Sequence, residues 1–209
     1  MRTKDVHLLV LDTLADWEPG LTIAHLNDPA PGMSSKYHVR TVGLSREMVV
    51  TKGGLRVLPE LTLDELSPAH SALLILPGAD IWNDSKTDPA LSKASAFVKA
   101  GVPVAAICGA TLGLARAGLL DNRRHTSNAV QFLASTGYAG ANHYVNQPVV
   151  EDDNVITAPA TASLEFAKHI LGKLQVFSPP ALEAWYALYR TGQPEHYFAF
   201  VEAVKKQAA

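Results

Sequence analysis

The chain has 209 residues, and 18 Lys plus Arg against 20 Asp plus Glu give a formal net charge of −2. That balance offers no electrostatic footprint for a phosphate backbone or an anionic lipid surface, so neither nucleic acid nor a membrane is expected as a partner. The length suits one α/β domain over residues 1–209 with a sizeable buried core, and one cysteine excludes an internal disulfide, which fits a reducing compartment.

The N-terminal segment Met1 to Asp12 starts basic, but its apolar run is short and ends on Asp12, so it reads as a first strand and not as a signal-peptide core. No stretch reaches the roughly 18 apolar residues of a bilayer span, and the expected location is the cytoplasm. Strand-length runs at Val6 to Leu11, Tyr37 to Leu44, Ala72 to Leu76 and Val102 to Ile107 are rich in apolar residues, the pattern of parallel strands buried on both faces. Helical spacing over Trp17 to Leu26 and Pro89 to Ala100 supplies crossover connections between them. Gly53-Gly54 between the short β-branched runs of Val49 to Leu58 reads as a small hairpin outside the main sheet. A second hairpin is expected from Pro148 to Thr157, turning at Asp152-Asp153-Asn154. Thr161 to Leu174 carries the apolar stripe of a helix, and Pro179-Pro180 opens two terminal helices over about residues 179–206.

At the centre, the strand Val102 to Ile107 runs into Cys108-Gly109-Ala110-Thr111, and a helix of small residues follows to a capping Gly118. Amides at a helix N-terminus favour negative charge, so they are expected to lower the Cys108 thiol pKa and to hold an oxyanion. A free cysteine at a strand end is as readily a small buried hydrophobe as a nucleophile. Leu73 to Asp80 ends a neighbouring strand in Pro77-Gly78, which offers Gly78 or Ala79 amides to pair with that of Gly109 as an oxyanion site. Glu18 lies at the same rim, where by itself it reads as a solvated acid in a first helical turn.

Taken together, Ala15-Asp16-Trp17-Glu18, Leu76-Pro77-Gly78-Ala79 and Ala106-Ile107-Cys108-Gly109 resemble the ThiJ/PfpI family of the class I glutamine amidotransferase-like superfamily. The likeness runs over about residues 5 to 175 and takes in Arg124 to Asn128 and Asn154 to Pro159. It implies a flavodoxin-like doubly wound, mostly parallel sheet with helices on both faces and small β-hairpin additions. It also implies a nucleophilic Cys108 hydrogen-bonded to Glu18, an oxyanion site at Ala79 and Gly109, and a homodimer. Members are described as proteases, amidases, chaperones, glyoxalases or deglycases, isonitrile hydratases and stress proteins, so the fold does not choose a substrate.

One departure concerns the base. Many relatives carry a histidine where this chain has Asn128, and an amide cannot take a proton near neutral pH. His125 and His143 are the candidate substitutes. His143, on an expected strand Ala141 to Val145, is preferred, because His125 and Asn128 would point to opposite faces of a strand. No metal or cofactor is expected: there is no His-Glu-x-x-His helix, no thiolate cage and no Gly-rich phosphate loop. The leading expectation is a cysteine-dependent hydrolase-like or amidotransferase-like protein acting on a small carbonyl or amide substrate. The alternative is a redox sensor or stress-response protein that oxidises at Cys108 without turnover.

Overall fold

The computed structural model describes residues 4–208. In chain order its elements are β1 (Lys4–Leu9), α1 (Trp17–Asn27), β2 (Tyr37–Gly43), β3 (Val49–Val50), β4 (Arg56–Val57), β5 (Leu61–Thr62), β6 (Ser71–Leu76), α2 (Asp88–Lys99), β7 (Val104–Ile107), α3 (Gly109–Arg116), α4 (Val130–Ala134), β8 (Val150–Asp152), β9 (Val155–Ala158), α5 (Ser163–Lys173), α6 (Pro179–Thr191) and α7 (Pro194–Ala208). The main sheet has the order β5-β2-β1-β6-β7-β9-β8, parallel throughout except for β8, while β3 and β4 form a separate antiparallel hairpin.

The unbroken apolar strands are explained by burial on both faces. Along β6, Leu73 and Ile75 face one core and Leu74 and Leu76 the other; along β7, Ala105 and Ile107 alternate in the same way with Val104 and Ala106. The first core is closed by α1, α5 and the α6–α7 pair through Phe166, Trp185 and Phe200. The second is closed by α2 and α3 through Phe97, Leu114 and Trp82. Among the described residues no helix is long and apolar enough to cross a membrane.

One sequence expectation changes. The segment Ala141 to Val145 is not a strand: Ala141–His143 is a turn of 3-10 helix, and only Tyr144 bridges to His125. Asn142 and His143 are exposed there, so no alternating buried face exists to hold a strand. The Asp152-Asp153-Asn154 hairpin forms as expected and adds β8 to the edge of the main sheet, with β9 paired to β7 and Asp153 at φ +55 in its turn.

Burial disfavours the charged form of three histidines. Trp185 Nε1 can only donate, and it donates to His25 Nε2 at 2.9 Å; His25 Nδ1 therefore carries the proton given to the Leu21 carbonyl at 2.8 Å. Burial is the leading cause that lowers the pKa of His25, and likewise of His7 and His125. The unfolded chain takes up protons below about pH 6.5 that these folded imidazoles refuse, so stability is expected to fall as pH drops through that value. Each contributes a slope of at most about 1.4 kcal/mol per pH unit. Urea midpoints measured from pH 7.5 to 5.0 check this, and His25→Gln should flatten the acid limb.

Candidate active site

Cys108 sits between β7 and α3 at φ +58 and ψ −122, a backbone conformation that side-chain-bearing residues rarely adopt and that costs about 1–3 kcal/mol. The surrounding bonds hold it there. Its N–H donates to the Ala158 carbonyl at 2.9 Å, and its carbonyl accepts from the Thr111 N–H at 3.1 Å and the Thr111 hydroxyl at 2.6 Å. The Ser127 hydroxyl meets that of Thr111 at 2.7 Å, tying the first turn of α3 to the loop that carries Asn128.

Small residues allow the crowding. A Cβ on Gly109 would lie 2.8 Å from the Ala79 carbonyl oxygen, and one on Gly113 would lie 2.6 Å from the Trp82 ring. Trp82, fully buried, donates its Nε1–H to the Pro77 carbonyl at 2.8 Å, which fixes the turn after β6 against α3.

Glu18, in the first turn of α1, is fully buried. Its Oε2 accepts the Gly78 N–H at 2.5 Å, while Oε1 has no partner of standard hydrogen-bond geometry. Burial raises the Glu18 pKa, opposed by the Gly78 amide, the Cys108 thiol and the Lys52 charge. The Cys108 thiol is also raised: burial acts first, the Glu18 carboxylate adds to it, and the Asn128 side chain and Gly109 amide oppose it. The expected depression of the thiol pKa is therefore not realised. Burial of the sulfur, with the Glu18 carboxylate adding to it, outweighs the Asn128 side chain and the Gly109 amide.

Asn128 Nδ2 donates to Sγ at 3.5 Å, and its Oδ1 accepts the Ala160 N–H at 2.8 Å. Neither candidate histidine reaches the sulfur. His125 is fully buried, with its ring bonded to the Arg123 carbonyl at 2.8 Å and to the Tyr138 hydroxyl at 3.1 Å, and His143 is exposed on its 3-10 turn. The Gly78 amide is likewise not an oxyanion donor, because Glu18 uses it; among the described residues the Ala79 amide has no such engagement. Residues that sequence reasoning did not single out complete the rim. Lys52, on the β3–β4 hairpin, pairs with Asp80 at 2.6 Å, and the Gly53 N–H donates to Asp16 Oδ2 at 2.6 Å, so the hairpin is clamped beside Glu18. Among the described residues there is no cluster of three or more His, Cys, Asp or Glu positioned to hold a metal.

Asn128→Ala removes a donor that favours the thiolate, so the Cys108 pKa should rise further and alkylation by iodoacetamide at pH 8 should slow by about three- to tenfold. An unchanged rate would show that the long Nδ2–Sγ contact carries no energy.

A doubly wound α/β chain with a strained cysteine on its central elbow and a buried carboxyl group beside it is the class that these features define. The chain belongs to the DJ-1/PfpI family, whose sequence pattern matches residues 4–173. It is 40% identical over 210 residues to a Bacillus subtilis protein named uncharacterized protease YoaZ, covering 99% of this chain and 100% of the relative. It is also 35% identical to uncharacterized protease YdeA of the same organism, over 90% of this chain and 92% of that one. Among solved structures, a thiJ/pfpI family protein from Bacillus anthracis matches with TM-score 0.91 at 41% identity, covering 97% of this chain and 98% of that one. A DJ-1 superfamily protein from Agrobacterium tumefaciens matches with TM-score 0.80 at 30% identity, covering 90% and 97%.

Proposed function

We propose that the protein is a cysteine-dependent hydrolase of amide or related carbonyl bonds in which Glu18, not an imidazole, moves the proton. The observation that carries this reading is the buried pairing of Glu18 with Cys108, both with raised pKa values. A carboxylate with a raised pKa is a better proton acceptor near neutral pH than an ordinary one. As Sγ attacks the carbonyl carbon, the thiol proton passes to Glu18 and the carbonyl electron pair moves to oxygen, where the Ala79 and Gly109 amides receive it. Collapse of the adduct expels the leaving amine, which takes the proton back from Glu18. Water then cleaves the thioester, with Glu18 as its base. The protease names carried by two relatives support this class of reaction.

The test is turnover against a panel of peptidyl amides, simple amides and esters. Activity on at least one, lost by more than about 10³-fold in Cys108→Ser, is the expected result. Absence of turnover on all of them sinks the reading. The sensor alternative is favoured by the missing imidazole, but it needs a thiolate for fast peroxide attack, and the raised thiol pKa works against that.

A further inference from the structure

Thr13, in the loop between β1 and α1, is held at φ +64. It is the third residue of a tight turn from Leu11 to Leu14, closed by the Leu14 N–H on the Leu11 carbonyl at 3.1 Å. Glycine takes a positive φ at that turn position without strain, whereas a β-branched residue rarely does. What threonine adds there is a hydroxyl. It gives its proton to the Asp12 carbonyl at 2.5 Å and accepts the Asp80 N–H at 2.8 Å. The Thr13 N–H is tied in turn to the Val50 carbonyl at 2.8 Å, so the strained residue is held from both sides.

The turn after β6 presents three amides in succession. That of Gly78 is taken by Glu18 at 2.5 Å and that of Asp80 by Thr13, which leaves the Ala79 N–H between two pinned neighbours. Its nitrogen lies against the cysteine elbow, 3.4 Å from where a Cβ on Gly109 would stand. The Gly78 carbonyl accepts the Ala15 N–H at 2.9 Å, and the Asp80 carboxylate holds Lys52 at 2.6 and 2.9 Å. Resting on the hydrolase reading, whose oxyanion the Ala79 amide receives, we infer that Thr13 is a positioning residue. Its hydroxyl pins the Asp80 end of the turn, as Glu18 pins the Gly78 end, and so keeps the Ala79 N–H aimed at the carbonyl oxygen of a substrate on Cys108. Asn128, and not Thr13, donates to Sγ, so loss of the Thr13 hydroxyl should disturb the aim of the amide and leave the nucleophile as it is.

Two reactions of Cys108, each followed by peptide mass spectrometry, separate the two effects. Iodoacetamide alkylates the sulfur by displacing iodide and forms no oxyanion. With p-nitrophenyl acetate, Sγ bonds to the carbonyl carbon, the thiol proton passes to Glu18, and the electron pair that moves to oxygen returns as p-nitrophenolate leaves. Thr13→Gly suits the backbone but lacks the hydroxyl, and Thr13→Ala is a second hydroxyl-free variant. In both, the ratio of acylation to alkylation rates should fall by about tenfold or more, toward the about 10²- to 10³-fold loss of deleting an oxyanion donor. Thr13→Ser keeps the hydroxyl and should stay within about threefold of the parent ratio. Equal ratios in all the variants, both rates falling together, or no recovery in Thr13→Ser overturns the role of Thr13. A parent that alkylates but never acylates overturns it too, together with the oxyanion site. A hydroxyl-dependent ratio with an acyl-Cys108 that water never cleaves supports Thr13 while the hydrolase reading fails. Acylation and hydrolysis untouched by every substitution leave that reading intact and overturn Thr13.

Discussion

Glu18→Gln is expected to speed alkylation of Cys108 at neutral pH while abolishing turnover. The two effects run in opposite directions because the carboxylate has two roles. Its charge and its contact with the thiol both hold the Cys108 pKa up. An amide in its place keeps an acceptor for the Gly78 N–H and turns a donor toward Sγ, so the thiolate becomes easier to form. One unit of lowered pKa is about a tenfold larger thiolate fraction below that pKa, and a three- to tenfold faster reaction with iodoacetamide at pH 7 follows. Turnover needs a group that accepts the proton and returns it, which Gln cannot do; a loss of about 10² to 10⁴ is the usual size of such a deletion. Alkylation and turnover falling together would mean that Glu18 only shapes the pocket.

Gly78→Ala should destabilise the fold and disable the site at once. A Cβ there would lie 2.6 and 2.8 Å from the two Glu18 carboxyl oxygens and 2.9 Å from the Cys108 Cβ. Glu18 is fully buried and Cys108 is fixed at a strained elbow, so none of these atoms is the free end of a mobile side chain. Overpacking of this kind costs about 1–3 kcal/mol, or several degrees in Tm for a chain of this size. Gly20→Ala is the matched control. It lies on α1 two residues after Glu18, nothing stands within 4 Å of its Cβ position, and the added methyl should stabilise the helix by about 0.5–1 kcal/mol. Thermal melts of both variants, with thiol titration of each, check the pair. Equal melting temperatures would remove the steric argument for Gly78.

The layered fold was legible because its signal is local. Strands buried on both faces must be largely apolar, and the central strands show it: β7 is apolar at every position and β6 at all but Ser71; Gly53-Gly54 turns the β3–β4 hairpin where two adjacent glycines separate β-branched runs. The Cys108 elbow was readable for the same reason, since strand, small residues and helix follow one another in the chain. The thiol's electrostatics were not legible. They depend first on how deeply the sulfur is buried and then on the Glu18 carboxylate 90 positions away, and a helix N-terminus considered alone gives the opposite sign. The histidine reading failed on geometry. His125 is engaged by the Arg123 carbonyl and the Tyr138 hydroxyl, and His143 sits on a turn that has no partner strand, whereas Asn128 reaches the sulfur through a loop fixed by Ser127 and Thr111.

The most direct measurement is the pH dependence of Cys108 alkylation by iodoacetamide from pH 5 to 11, followed by mass spectrometry on the intact protein. With a carboxylate partner and no imidazole, the rate should climb through a single inflection above the ordinary thiol value, with none between pH 5.5 and 7.5. A plateau of fast reaction near neutral pH, or an inflection in the histidine range, would contradict the account by showing a thiolate paired with an imidazolium.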